Sequence, residues 1–194
     1  MPITACPSAK EISMSRISIP TKDDAPEATR PILDGIQKAL GFVPNVFRLV
    51  ANSPAALTAF TGLQGGLSKT LDVKTRERIA LAVAEVNGCD YCLSAHTYLG
   101  LNLAKMSPEE IALNRKGASA DAKANAAVRF AAKIAEARGH VDNDDIAAVR
   151  SAGFSDAQIV EIVALVAENT FTNYLNEVAK TDIDFPSVPA ADAA

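Results

Sequence analysis

The chain has 194 residues, 48% of them hydrophobic, a formal net charge of −4 and three cysteines. That length suits one domain. An acidic pI near 5.2 with scattered basic residues argues against nucleic acid as a partner. No apolar run approaches the roughly 18 residues of a membrane span, the N-terminus lacks a basic and apolar leader, and the cysteines are too few for a secreted disulfide framework. A cytoplasmic protein is therefore expected. Mean hydropathy of +0.10 is slightly apolar for a soluble protein and points to subunit burial.

Residues 1–22 show little helical periodicity and are expected to form an extended or mobile arm, with Cys6 as a free thiol in its polar leader. Helical patterns then fill 23–183. Ile32, Ile36, Ala39 and Leu40 form a stripe ending at Gly41. A short helix follows Pro44-Asn45 with Val46, Phe47 and Val50. Pro54 opens another with Leu57, Phe60 and Leu63, weakened by Gly62, Gly65 and Gly66. Residues 73–87 form a strong helix capped by Asp72, with Ile79, Val83 and Val86 on one side. Gly88 stops it, and a further helix runs from about 90 to 104 with Asp90 as its cap.

Ser107-Pro-Glu-Glu110 predicts a capping box. Ser119 opens an alanine-rich helix to Arg138, closed by Gly139. Asp142 starts a short helix closed by Gly153. Ser155 caps a long one, with Ile159, Ile162, Val163, Val166 and Tyr174 near one face, serving as core or subunit interface. Residues 184–194 read as a non-helical tail. No segment alternates with a period of two, so the expected fold is all-α, in a single domain.

Cys89-Asp-Tyr-Cys92-Leu-Ser-Ala-His96 concentrates the chemistry. On a helix, residues three and four apart are neighbours. Cys89 and Cys92 then lie within disulfide reach, and His96 sits one turn beyond Cys92. Both thiols fall near a helix N-terminus, which favours a thiolate, and His96 is placed to pass protons. Three readings stay open: redox chemistry, a metal site, or packing of two small hydrophobes. A structural zinc site wants four ligands, and only Glu77 or His140 offers a fourth. His140 follows Gly139 and is expected to be solvated. A thioredoxin-like reading lacks its βαβ context, and a c-type haem site needs His where Leu93 stands. Glu85, eight residues beyond Glu77 on one side of the helix, is a supporting candidate or a surface ion pair. Tyr91 is a packing residue or a proton donor.

Thr75-Arg-Glu77 through Glu85-Val-Asn-Gly-Cys89-Asp-Tyr-Cys92-Leu-Ser-Ala-His96 resembles the alkyl hydroperoxidase D-like branch of the carboxymuconolactone decarboxylase superfamily. Gly41-Phe-Val-Pro44-Asn45 and Asn173-Tyr-Leu-Asn176 through Asp184-Phe-Pro186 resemble its longer, peroxidase-related members. The resemblance spans roughly 16–186. It implies an all-helical homo-oligomer (dimer, trimer or hexamer) acting as a thiol-dependent peroxidase on a small hydroperoxide, without a bound cofactor or metal. Electrons would come from an external dithiol or lipoyl-type reductant. By the resemblance, Cys92 attacks the peroxide, Cys89 resolves the sulfenic acid, and His96 and Glu77 form the proton relay. Tyr91 stands where the best-known members carry His. The alternatives are a decarboxylase-like lyase that needs no thiol, and a metal-binding or structural helical oligomer.

Overall fold

The computed structural model describes residues 15–191; Cys6 and the leader lie outside them. Among the described residues the fold is all-α, with helices α1 (Arg30–Leu40), α2 (Asn45–Val50), α3 (Pro54–Leu67), α4 (Val73–Val86), α5 (Asp90–Asn102), α6 (Pro108–Arg115), α7 (Ala122–Glu136), α8 (Asn143–Ser151) and α9 (Asp156–Ala179).

α4 is the axis of the domain. Every residue from Ile79 to Ala84 is buried, and the helix packs against α5, α6, α7 and α9. A helix apolar on every side belongs in an interior, and Ala80, Ala82 and Ala84 let several neighbours approach at once. Two cores meet along it. Ile79 and Val83 join Phe130 of α7, Val149 of α8 and Ile162 of α9. Leu81 and Ala84 join Cys89, Cys92 and Leu93 of the next segment. A third core, of Leu33, Phe47, Leu57 and Phe60, holds α1–α3 together. Each fully buried Leu, Ile or Val contributes about 1.5–3 kcal/mol. Burial of Leu57, Phe60 and Leu67 therefore outweighs the helix propensity lost at the glycines of α3, which stays helical through Gly62, Gly65 and Gly66.

Some sequence expectations shift. The Ser107–Glu110 pattern forms only half of its box: Ser107 accepts from the Glu110 N–H, but the Glu110 carboxylate turns to Arg78, Asn114, Ser119 and the Ala120 N–H. Ser119 is thereby drawn away from capping, and α7 starts after Asp121, which accepts from the Ala124 N–H. In the 24-residue α9, Ile159, Ile162 and Val166 enter the core as expected, but Val163 is 45% and Tyr174 58% exposed. With Val160, Phe171 and Val178 they form a second, outward apolar stripe. Val86 and Leu63 are likewise exposed. A helix with two apolar sides does not say from sequence which one turns inward.

Both ends of the described chain are tied to the bundle. Arg48 of α2 donates to the Pro20 carbonyl at 2.7 Å. The non-helical segment after α9 crosses α5, where the Val188 N–H donates to Ser94 at 2.9 Å and the Ala190 N–H to Asp90 at 2.8 Å. No helix among the described residues is long and apolar enough to cross a membrane.

Candidate active site

The site begins where α4 stops. Gly88 takes φ +66°, a left-handed conformation that costs glycine little, and the reversed chain lets the Cys89 N–H reach the Ala84 carbonyl at 3.0 Å. The cap of α5 is then Cys89 itself rather than Asp90: its sulfur accepts from the Cys92 N–H at 3.3 Å. Asp90 sits one residue inside the helix, where its carboxylate serves the tail. Cys92 thus occupies the first turn of α5, where unpaired N–H groups favour negative charge.

Both cysteines are free thiols, with their sulfurs 2.7 Å apart. Closing to the roughly 2.05 Å of a disulfide needs a small side-chain shift rather than refolding. The two are not equivalent. Cys89 is fully buried, whereas Cys92 lines a cleft of about 610 Å³ together with His96, Glu77, Glu168 and Asn176. Its other walls are mainly apolar, including Phe42, Val46, Phe60 and Leu99.

Glu77, on the first turns of α4, meets His96 of α5 across 19 residues of sequence: Nδ1 to Oε2 is 2.9 Å, with both side chains mostly buried. A carboxylate on Nδ1 fixes that proton and leaves Nε2 for exchange. Burial works against the imidazolium, but Glu77, by charge and hydrogen bond, raises the His96 pKa, helped by Cys92 and Glu168. Burial also opposes the Cys92 thiolate. It is outweighed by the Cys89 hydrogen bond, the charge of His96 and the amides of Asn176 and Asn173, so Cys92 is brought down to about 7. Cys89 moves the other way, well above the ordinary thiol range, because it donates to Cys92 and is buried. One sulfur thus ionises near neutral pH while its neighbour keeps its proton.

The structure brings Cys89, Cys92, His96 and Glu77 together. It sends Glu85 elsewhere, to Arg115 at 2.6 Å and the Ala191 N–H at 2.7 Å, an ion pair as in one of its two readings but mostly buried rather than at the surface. Tyr91 lines the cleft, but its hydroxyl is committed to packing: it donates to Asp184 at 2.8 Å and accepts from the Val46 N–H at 3.1 Å. The other Asp184 oxygen accepts from the Asn45 N–H at 2.8 Å. Tyr91→Phe is expected to cost about 1–2 kcal/mol, read as a lower urea midpoint, with faster hydrogen exchange at the Val188 and Ala190 amides. Unchanged stability would return Tyr91 to the proton path. His140 is exposed, as expected. Among the described residues no three His, Cys, Asp or Glu side chains cluster so as to hold a metal ion.

Sequence reasoning missed Glu168, half-buried on α9. Burial raises its pKa, against the pull of His96, Gln64 and Arg76. It also assigned no role to the buried amides of Asn169, Asn173 and Asn176. The available signal was their spacing of four and three residues, which puts three amides on one side of an otherwise apolar helix.

Residues 54–137 match the family described as carboxymuconolactone decarboxylase. No curated protein matches the chain. A peroxidase-related protein from Ralstonia eutropha JMP134, described as an alkylhydroperoxidase AhpD core, shares 26% identity at a TM-score of 0.79, over 88% of this chain and 93% of its own. A peroxidase-related protein from Silicibacter sp. TM1040 shares 28% at 0.77, over 95% and 96%. A debrominase crystallised with 2,3,4-tribromopyrrole shares the fold at 22% identity and a TM-score of 0.76, over 89% and 94%. Together, the matched segment and the shared architecture support this chain as an alkyl hydroperoxidase D-like member of the carboxymuconolactone decarboxylase superfamily.

Proposed function

We propose that the protein is an enzyme, a thiol-dependent hydroperoxide reductase in which Cys92 is the nucleophile, Cys89 the resolving thiol, and His96 with Glu77 the proton relay. The observation that carries this reading is the asymmetric pair: two free sulfurs 2.7 Å apart, of which only Cys92 lines the cleft. The Cys92 thiolate attacks the terminal oxygen of ROOH. The O–O bond breaks, an S–O bond forms, and RO⁻ leaves as ROH with a proton from His96. The Cys89 thiol then attacks the sulfenic acid, the S–O bond breaks, water leaves and the disulfide forms. An external dithiol, of lipoyl type or similar, returns the pair to thiols and is itself oxidised to a disulfide. The cycle calls for no bound cofactor or metal. A reducing cytoplasmic compartment suits it, and the outward stripe of α9 supports assembly of copies into a homo-oligomer.

Mass spectrometry of the intact protein tests the reading. One equivalent of an organic hydroperoxide should join Cys89 and Cys92 with loss of two hydrogens, and excess dithiol should reverse it. Hydroperoxide consumption that survives alkylation of both cysteines would end the proposal and favour the lyase reading; stoichiometric zinc with no titratable thiol would favour the metal-binding one.

The pH dependence has a definite sign. Cys92 reacts as thiolate and titrates at about 7, so consumption should fall as pH drops below about 7. A rate flat from pH 5 to pH 8, measured under single-turnover conditions, would contradict this.

A further inference from the structure

The segment Asn173-Tyr-Leu-Asn176 has a consequence of its own. The inward face of α9 is apolar through Val166 and then turns polar, with Asn169, Asn173 and Asn176 each 7% exposed or less. Leucine would fill the same space without the cost of burying an amide. Asn169 spends its amide on its own helix, donating to the Leu165 carbonyl at 2.8 Å. The other two point outside it. Asn173 Oδ1 accepts from the Asn87 side chain at 2.8 Å, which locks its rotamer from the C-terminus of α4. Asn176 Nδ2 donates to the Cys92 sulfur at 3.3 Å.

Two polar atoms of this pair have no hydrogen-bond partner, Asn173 Nδ2 and Asn176 Oδ1. Native proteins seldom leave buried groups so. Asn176 gives up a satisfied oxygen while its nitrogen is spent on sulfur, and the Asn173 amide favours the thiolate in the same sense.

We propose that Asn176 is a catalytic residue, whose amide holds the Cys92 sulfur as a thiolate, with Asn173, clamped by Asn87, as the positioned second donor. This rests on the thiol-redox reading given above. The choice of amides over a cation follows from the cycle. Cys92 is an anion when reduced and neutral in the disulfide. A buried Lys or Arg at position 176 would be left unpaired at every oxidation, at a large desolvation cost. A neutral donor stabilises the anion and tolerates the disulfide. The other groups facing Cys92 are Cys89 at the cap, Tyr91 and His96 on α5, and beyond them Glu77 on α4 with Glu168 and Glu177 on α9.

The test is the pH dependence of Cys92 alkylation by iodoacetamide, followed by peptide mass spectrometry on the reduced full chain. Asn176→Leu removes the donor at similar volume, and Asn176→Asp replaces it with a carboxylate. The midpoint should rise by about one pH unit in Asn176→Leu and further in Asn176→Asp, with about tenfold less thiolate at pH below the midpoint. Hydroperoxide consumption lost at pH 7 should return at alkaline pH, which a purely structural role would not produce. In the wild-type protein, the side-chain amide protons of Asn176 should shift in NMR with the Cys92 midpoint, a readout that needs no variant. A wild-type midpoint in Asn176→Leu, or amide protons that do not follow Cys92, would overturn the assignment. A shifted midpoint in a protein that consumes no hydroperoxide would leave the amide's role standing and remove the peroxidase.

Discussion

Cys92→Ser is expected to lower hydroperoxide consumption by on the order of a thousandfold or more, as loss of a nucleophile does elsewhere. The alcohol of serine does not ionise near neutral pH, and its oxygen has no counterpart to a sulfenic acid. Cys89→Ser should behave differently. Cys92 keeps the cleft, the helix N-terminus and His96, so one equivalent of peroxide is consumed and the reaction stops at a sulfenic acid. A dimedone-type probe with mass spectrometry reads that product. The two variants together test the asymmetry of the pair, since Cys89 is buried out of the cleft that Cys92 lines. A Cys92→Ser protein that turns over while Cys89→Ser is dead would reverse the roles assigned to the sulfurs.

Glu110→Ala should destabilise the fold by about 3 kcal/mol, the cost of stripping the partner from a mostly buried charge, and lower Tm by about 6–12 °C for a chain of this size. The Glu110 side chain is 11% exposed and pairs with Arg78 at 2.7 Å. It also accepts from Asn114 at 2.9 Å, Ser119 at 2.6 Å and the Ala120 N–H at 3.0 Å. One carboxylate thus fastens α6 and the start of α7 to α4. Burial raises its pKa, but the bonds from Ser119, Asn114, Ala120 and Arg78 overcome this and bring it from 4.5 to about 2. A folded-state pKa below the unfolded one adds stability that is fully present above about 4.5 and is lost as pH falls toward 2. The wild type should therefore lose stability over that interval, and Glu110→Ala should lose less, in thermal melts between pH 2 and pH 6. Parallel acid profiles for the two proteins would refute the hub.

The candidate site was partly legible because its central part is local. Cys89, Cys92 and His96 fall on two turns of one helix, and a spacing of three and four residues means adjacency wherever that helix forms. Glu77 entered through a resemblance and lies where it was expected, because α4 and α5 pack side by side. Asp90 was misread as the cap because its side chain is a usual one. The geometry at Gly88 instead makes the Cys89 sulfur the acceptor. Glu85 and Glu77 share a helix side in sequence, yet only Glu77 meets His96. Glu85 lies two turns further along, where Arg115 and the tail claim it.

By itself, the sequence determined the helices, the bounds of most of them and the proximity of two thiols to an imidazole, because each depends on contacts within a few residues. Which sulfur lines the cleft, which side of α9 is buried, how Asn176 reaches the Cys92 sulfur and Asn87 reaches Asn173, and that Glu168 lines the same cleft were decided only by tertiary packing. Those contacts join residues as far as 86 positions apart, as between Asn87 and Asn173. No local periodicity encodes them: they follow from how α4, α5 and α9 close around a shared core.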